Sequence, residues 1–347
     1  MIRPLSWIAL GTFALSLVSC RPDAYSYESN TSGEEQESLE SNGPGLPGGT
    51  LLSEMPQIVA PYEALLKMRS EVHIYDQGTL AQALREDLYA DGAGQFALLL
   101  DSISDGSGVW TVASQAEKFQ HHQRQFFLAK YRGPVVRDNA LASRNYDWYS
   151  VPGSYSVAGI PVNRYHLDSK YHIGDIVLDV DASTEVLLGW TIEDPDGVPI
   201  LSSYATTVDY SPALSGVEWA TANVDTEVYD GSGAAGQLGF DPLVIESTGA
   251  GFLNRDEKLL HAQTLFAGRS NMLLTLMSDG VRSVAIAQEY RGPAQKVGDT
   301  PVKALTLFES VDTGVTLIEG QIHNHWVYSI GPVPSGDLVL FLESMKV

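Results

Sequence analysis

Between Ile176 and Val208, apolar residues recur at every second position, and turn-forming residues interrupt them at short intervals. Ile176, Leu178 and Val180 share one face; across Asp181-Ala182-Ser183-Thr184, Val186, Leu188, Trp190 and Ile192 share the next. Asp194-Pro195-Asp196-Gly197 then turns the chain into Val198–Val208. Successive side chains on a strand point to opposite faces, so this spacing buries one face of each strand and dictates an antiparallel meander. A β-rich run from Tyr146 to Asp209 follows. Upstream, strands are expected at Glu71–Tyr75, Leu80–Tyr89, Gln95–Ile103 and Val109–Ala113, set apart by Gln77-Gly78, Asp91-Gly92 and Asp105–Gly108. Helices are expected over Met55–Arg69, with Leu65, Leu66 and Met68 inward, and over Ser114–Tyr131, anchored by Phe119, Phe126 and Phe127.

Asp230-Gly231-Ser232-Gly233-Ala234-Ala235-Gly236 marks residues 224–238 as an interdomain linker. Beyond it, strands are expected near Lys258–Phe266, Asn271–Met277, Val281–Tyr290, Val315–Glu319 and His325–Ile330. A closing helix, Ser335–Met345, buries Leu338, Leu340, Phe341, Leu342 and Met345. With 44% hydrophobic residues the chain can fill more than one small core. The class is α+β, with a first domain over 51–223 and a small α+β domain over 239–347.

The formal charge is −22. Residues 21–50 hold six acids, Asp23, Glu28, Glu34, Glu35, Glu37 and Glu40, against Arg21, and no apolar run. They read as a flexible, self-repelling tether. So acidic a surface repels phosphate backbones, which argues against nucleic-acid binding.

No constellation for catalysis stands out. There is no nucleophile elbow, zinc-protease helix motif, Cys-x-x-Cys pair or phosphate loop in its required context. His121 and His122 are adjacent, and neighbouring side chains on a helix do not converge, so both are expected on a solvated face. His323 and His325 alternate on a strand and could share a metal, but no third ligand is near in sequence. Asp179, Asp181 and Ser183 open like a calcium loop, yet Thr184 stands at the glycine position and Trp190 at the glutamate position, so the segment reads as a hairpin turn. No cofactor, metal or enzymatic activity is expected.

Arg3 followed by the apolar run Trp7–Val18 has the form of an export signal, shorter than the roughly 20 residues of a membrane-spanning helix. It ends in Leu17-Val18-Ser19-Cys20, which resembles the lipobox of bacterial lipoproteins. The resemblance implies cleavage between Ser19 and Cys20, a signal over 1–19, and acylation of Cys20 at the head of a 20–50 tether. Cys20 is the only cysteine, so once acylated it leaves none for a disulfide. Each buried methylene of an acyl chain contributes about 0.8 kcal/mol, and two or three chains anchor durably. Arg21, in place of an aspartate, favours outer over inner membrane within the cell envelope.

Two stretches resemble the LolA/LolB/RseB superfamily. One is Ser156–Leu167, followed by Ile176–Asp181, Val186–Ile192 and Asp194-Pro195-Asp196-Gly197. The other, Leu273–Ile286 with Ser278-Asp279-Gly280-Val281-Arg282 at its turn, together with Trp326–Pro334 leading into Leu338–Ser344, is similar to RseB/MucB in particular. Met277 departs from the pattern, standing where an aromatic is usual. The resemblance implies an N-terminal curved antiparallel half-barrel over helices with an apolar hollow. It further implies a sigma-factor regulator acting in envelope stress, whose partner is the periplasmic segment of an anti-sigma factor. A LolB-like outer-membrane carrier of lipoprotein or lipid is the alternative. Phe96, Leu98, Leu100, Trp110, Leu188, Trp190 and Ile192 are the candidates to line a hollow for an acyl chain, and they equally suit an ordinary core.

Overall fold

The computed structural model describes residues 49–171, 173–220, 226–236, 238–245, 251–260, 272–290, 308–312, 315–322, 324–333 and 335–346. The expected signal, Ser19, Cys20 and nearly all of the acidic tether lie outside them, as does His323.

The chain runs through β1 (Thr50–Leu51), a 3-10 turn (Pro61–Glu63), β2 (Leu65–Asp76), β3 (Thr79–Asp91), β4 (Phe96–Ser104), β5 (Thr111–Val112), α1 (Gln115–Phe127), a π-turn (Leu128–Arg132) and α2 (Asn139–Asn145). Then come β6 (Tyr146–Val157), β7 (Ile160–Ser169), β8 (Ile176–Asp181), β9 (Leu187–Glu193) and β10 (Pro199–Asp209). The second half holds β11 (Thr226–Val228), β12 (Val244–Ile245), β13 (Leu253–Leu260), β14 (Met272–Ser278), β15 (Ser283–Tyr290), β16 (Phe308–Asp312), β17 (Val315–Ile322), β18 (His325–Gly331), α3 (Ser335–Glu343) and β19 (Met345–Lys346).

Strands β1 to β10 form one antiparallel sheet in the order β1-β6-β7-β8-β9-β10-β2-β3-β4-β5. Its two end strands are not bonded to each other, so the sheet is open. Register shifts recur along it, at Ile74/Tyr75, Arg85/Glu86, Asp179/Val180 and Ala205/Thr207. Bulges of this kind bend a strand and raise its twist, as the curvature of a half-barrel requires.

The helix expected over Met55–Arg69 is not formed. Leu66, Met68, Val72 and Ile74 are buried while Leu65, Lys67, Arg69 and Glu71 face outward, a period of two sustained over β2. Ser70 occupies an inward position and hides the alternation, and the adjacent Leu65-Leu66 pair imitates helical spacing. The second helix forms: Ser114 and Glu117 make a reciprocal capping box at the start of α1.

The second sheet has the order β11-β13-β14-β15-β18-β17-β16. Thr226–Val228, inside the expected linker, pairs with β13 as its edge strand. One face of this sheet packs on α3, where Val284, Ile286, Ile318 and Val327 meet Leu338, Phe341 and Leu342. The other face joins the first sheet. Leu66, Met68, Leu88, Phe96 and Leu98 form a single cluster with Met272, Leu274, Ala285, Ala287, Tyr328 and Ile330, across Phe127, Leu128 and Val135. Burial on both faces explains why β14 and β15 read as continuous apolar runs.

The turn between β14 and β15 is the keystone of that junction. Gly280 has φ +102°, and a Cβ there would lie 2.4 Å from the backbone nitrogen of Ala142 in α2. Neighbouring backbone bonds run from Val135 N to Val281 O (3.0 Å) and from Arg137 N to Gly280 O (2.9 Å). Gly280→Ala is therefore expected to destabilise the protein by about 2 kcal/mol or more, since left-handed backbone strain adds to a clash with main chain that cannot swing away. Urea unfolding of the full chain measures this, and an unchanged midpoint would contradict so tight a fit.

Candidate functional site

The fold holds two buried charge clusters, one inside the first half beside a small cavity and one where the two halves meet. The first cluster grows from β3. Glu86 sits beside the β3/β4 bulge, where Arg85 pairs with Ser102 but Glu86 pairs with Leu100, and its side chain points inward. Arg132, at the end of the π-turn, donates from Nη1 to Glu86 Oε1 (2.8 Å) and from Nη2 to Oε2. His121 of α1 donates from Nε2 to Oε1 at 2.7 Å. All three side chains are nearly or wholly buried. Burial alone would raise the Glu86 pKa, but the Arg132 charge and its paired hydrogen bonds, helped by His121, outweigh it and hold the carboxyl far below the ordinary range.

His121 is thus not on the solvated face expected for it. The buried line of α1 and the π-turn that follows it includes His121, Gln125 and Leu128, spaced at i, i+4 and i+7, whereas the expected anchor Phe119 is 61% exposed. Gln125 Oε1 accepts from the backbone of Leu98, so this helix docks on β4 through polar groups as well as apolar ones. Of the expected anchors, Phe119 lies off the buried side, whereas Phe127 is packed in the core.

Beside Glu86 and Arg132 lies a cavity of about 60 Å3, walled also by Tyr62, Leu98, Leu128 and Trp190. Ligand clefts are commonly ~300–1,000 Å3. Of the seven residues expected to line an acyl-chain hollow, only Leu98 and Trp190 border this space. Phe96 and Leu188 are packed with Leu98 in the shared cluster, and Leu100 belongs with Val72, Ile74 and Leu84. Ile192 is fully buried. Trp110 lies on the outer side of the sheet, its ring 3.8 Å from the guanidinium of Arg85. Among the described residues, part of these apolar strand faces is covered by α1, the π-turn and the second sheet.

The second cluster surrounds the β14–β15 turn. Asp279 Oδ2 accepts from Arg282 Nε (2.9 Å) and from the Tyr146 hydroxyl, while Oδ1 accepts from the backbone of Val281 and Arg282. Arg282 Nη1 donates to Ile173 O at 2.8 Å. Asn145 Nδ2 donates to Asp279 O and to Gly251 O. Both charged side chains are fully buried. Burial pushes the Tyr146 phenol well above its ordinary value, although Arg282 opposes that. Asp279 and Arg282 were visible in the sequence only as a hairpin; nothing there marked them as a buried ion pair keyed into β6 and α2.

Among the described residues, no group of three or more His, Asp, Glu or Cys is placed to hold a metal. His325 donates from Nε2 to Asp241 O (2.9 Å). Asp181 ties its own turn, its Oδ1 accepting from Ser183 and Thr184 and its Oδ2 from the Tyr210 hydroxyl, as a hairpin reading of that segment requires.

No protein-family model matches the chain, and no curated protein matches it in sequence. Among solved structures, the MucA/MucB complex of Pseudomonas aeruginosa is 16% identical, with a TM-score of 0.47, over 83% of this chain and 95% of that one. The chain is similar in structure to MucB over most of its length. A second structure of MucB in complex with MucA(peri) gives 14% identity and a TM-score of 0.47, with the same coverage. MucB alone gives 16% and 0.46, over 82% of this chain and 94% of that one.

Proposed function

We propose that this chain is a lipid-anchored envelope protein that acts by binding, and that its partner is the periplasmic segment of an anti-sigma factor. The observation that carries this reading is the Ser278–Arg282 hairpin. In sequence it resembles the RseB/MucB hairpin, and in the fold it locks a seven-stranded second sheet onto the first. Carriers of the LolA/LolB type are generally one smaller domain and have no such second half, so the carrier alternative is the weaker. Acyl-chain carriage is left out of the proposal, because the inward faces that would hold a chain are packed against the second sheet. The buried ion pairs tie separate elements of the fold together. Lipidation at Cys20 and an outer-membrane location belong to the same proposal and rest on the lipobox resemblance.

Titration of the purified full chain with the periplasmic segment of an anti-sigma factor from the same organism is expected to give saturable binding. No binding at concentrations up to about 100 μM would remove the regulator reading. Separately, Cys20→Ser is expected to abolish incorporation of labelled palmitate and leave the chain unprocessed or soluble. Undiminished labelling would refute the anchor.

A further inference from the structure

On the outer side of the first sheet, charges are paired across strands. Arg69 holds Asp87 with two hydrogen bonds of 2.8 Å, Arg85 holds Glu71 at 2.9 Å, and Arg164 holds Asp179 at 2.7 Å. One corner breaks this rule. There Leu65 and Leu99 remain 48% and 44% exposed, beside Tyr89. The segment leaving β10 at Tyr210 must pass over β2 and β3, because Ala220 N next bonds Phe96 O on β4 at 2.7 Å. Its passage leaves a groove of about 600 Å3, floored by Lys67, Tyr89 and Leu99 and walled by Pro212, Val217 and Glu218. This is the size of a ligand cleft, ten times the cavity at the buried cluster.

The charge of the groove is one-sided in a particular way. Its one lining base, Lys67, stands directly opposite Asp209 in register and places its ammonium 5.1 Å from the centre of the Tyr89 ring. Glu218 adds a second carboxylate on the exposed wall. The chain around it carries −22, a field that draws cationic segments and repels acidic ones. The Tyr89 ring, with Lys67 above it, already accepts a cation at its face.

We propose that this groove docks an extended segment of a protein partner in which Lys or Arg alternates with leucine-like side chains. The apolar residues cover Leu99 and Val217, and the cations meet Asp209 and Glu218. It deepens the binding-protein reading above and names the chemistry of the segment bound.

The probe is a fluorescein-labelled (Lys-Leu)6 peptide, with (Glu-Leu)6 as its counterpart, titrated against the full chain by fluorescence anisotropy at 0.15 M salt. Saturable binding of the first and none of the second is expected. Asp209→Lys with Glu218→Lys should weaken it at least 10-fold, and Leu99→Ser about 3-fold. Asp196→Lys, on the exposed β9–β10 turn, introduces the same kind of charge change far from the groove and should alter affinity less than 2-fold. If the groove and turn variants weaken binding alike per charge, the attraction is general and the proposal falls; equal binding of both peptides overturns it too. Circular dichroism confirms that each variant is folded. Because the probe is synthetic, its failure leaves the anti-sigma-factor titration untouched. Binding of that segment unaffected by the groove variants would reject the groove alone.

Discussion

Glu86→Gln is expected to cost about 3–5 kcal/mol of folding stability, because it strands the Arg132 charge in the interior without its counter-ion. Native domains hold only about 5–15 kcal/mol in all, so this is a large share of the total. The geometry supports the size of the effect. Glu86 is fully buried, Arg132 is paired to it through both terminal nitrogens, and His121 bonds the same carboxylate. Removing both charges, as in Glu86→Gln with Arg132→Met, should recover much of the loss, since the desolvation of two ions disappears with their attraction. The pH dependence gives a second check. The folded-state pKa of Glu86 is depressed, so its contribution is complete above the unfolded value of about 4.3 and fades as pH falls below it. The stability difference between the native chain and Glu86→Gln should therefore shrink from pH 6 to pH 3. Chemical denaturation at both pH values measures it, and a difference constant with pH would contradict the depressed pKa.

Asp279→Asn is expected to cost a similar amount, about 3–5 kcal/mol, at the junction of the two sheets. The substitution keeps the size of the side chain but removes the charge that faces fully buried Arg282, and it turns an amide toward the Tyr146 hydroxyl or the Arg282 guanidinium. The effect should be local before it is global. Amide hydrogen exchange is expected to rise first at Val135 and Arg137, whose backbone groups bond the turn, and less in β7 and β8. Uniform acceleration across both sheets would mean that the turn does not lock them together. Asp279→Asn and Glu86→Gln touch different clusters, so their costs should add to within about 0.5 kcal/mol.

Local patterning carried much of the architecture into view. The meander from β8 to β10 was legible because apolar residues alternate along β8 and β9 in the sequence and its turns are chemically explicit: Asp181 and Asp194 each accept backbone hydrogens from residues just ahead of them. The start of α1 was equally plain, since Ser114 and Glu117 form a cap within four residues. These features depend on residues close in sequence, and their physics is local.

What the sequence could not decide is which partner each buried face would meet. Met55–Arg69 read as a helix because Ser70, a polar residue turned inward, masks the alternation of β2; only the covering by β3, α1 and the second sheet makes that position interior. His121 read as solvated because its hydrogen-bond partner, Glu86, lies 35 residues away on another element. Arg282 and Tyr146 are separated by more than 130 residues, and Asp279 joins them only once the turn enters the first sheet. The same limit applies to the hollow. Six of the seven apolar candidates face inward, Trp110 being the exception, but whether such faces enclose a ligand or a second sheet depends on an apolar surface from far along the chain. Alternation specifies that a face must be covered, and the hydrophobic effect, being non-directional, leaves the choice of cover to tertiary packing.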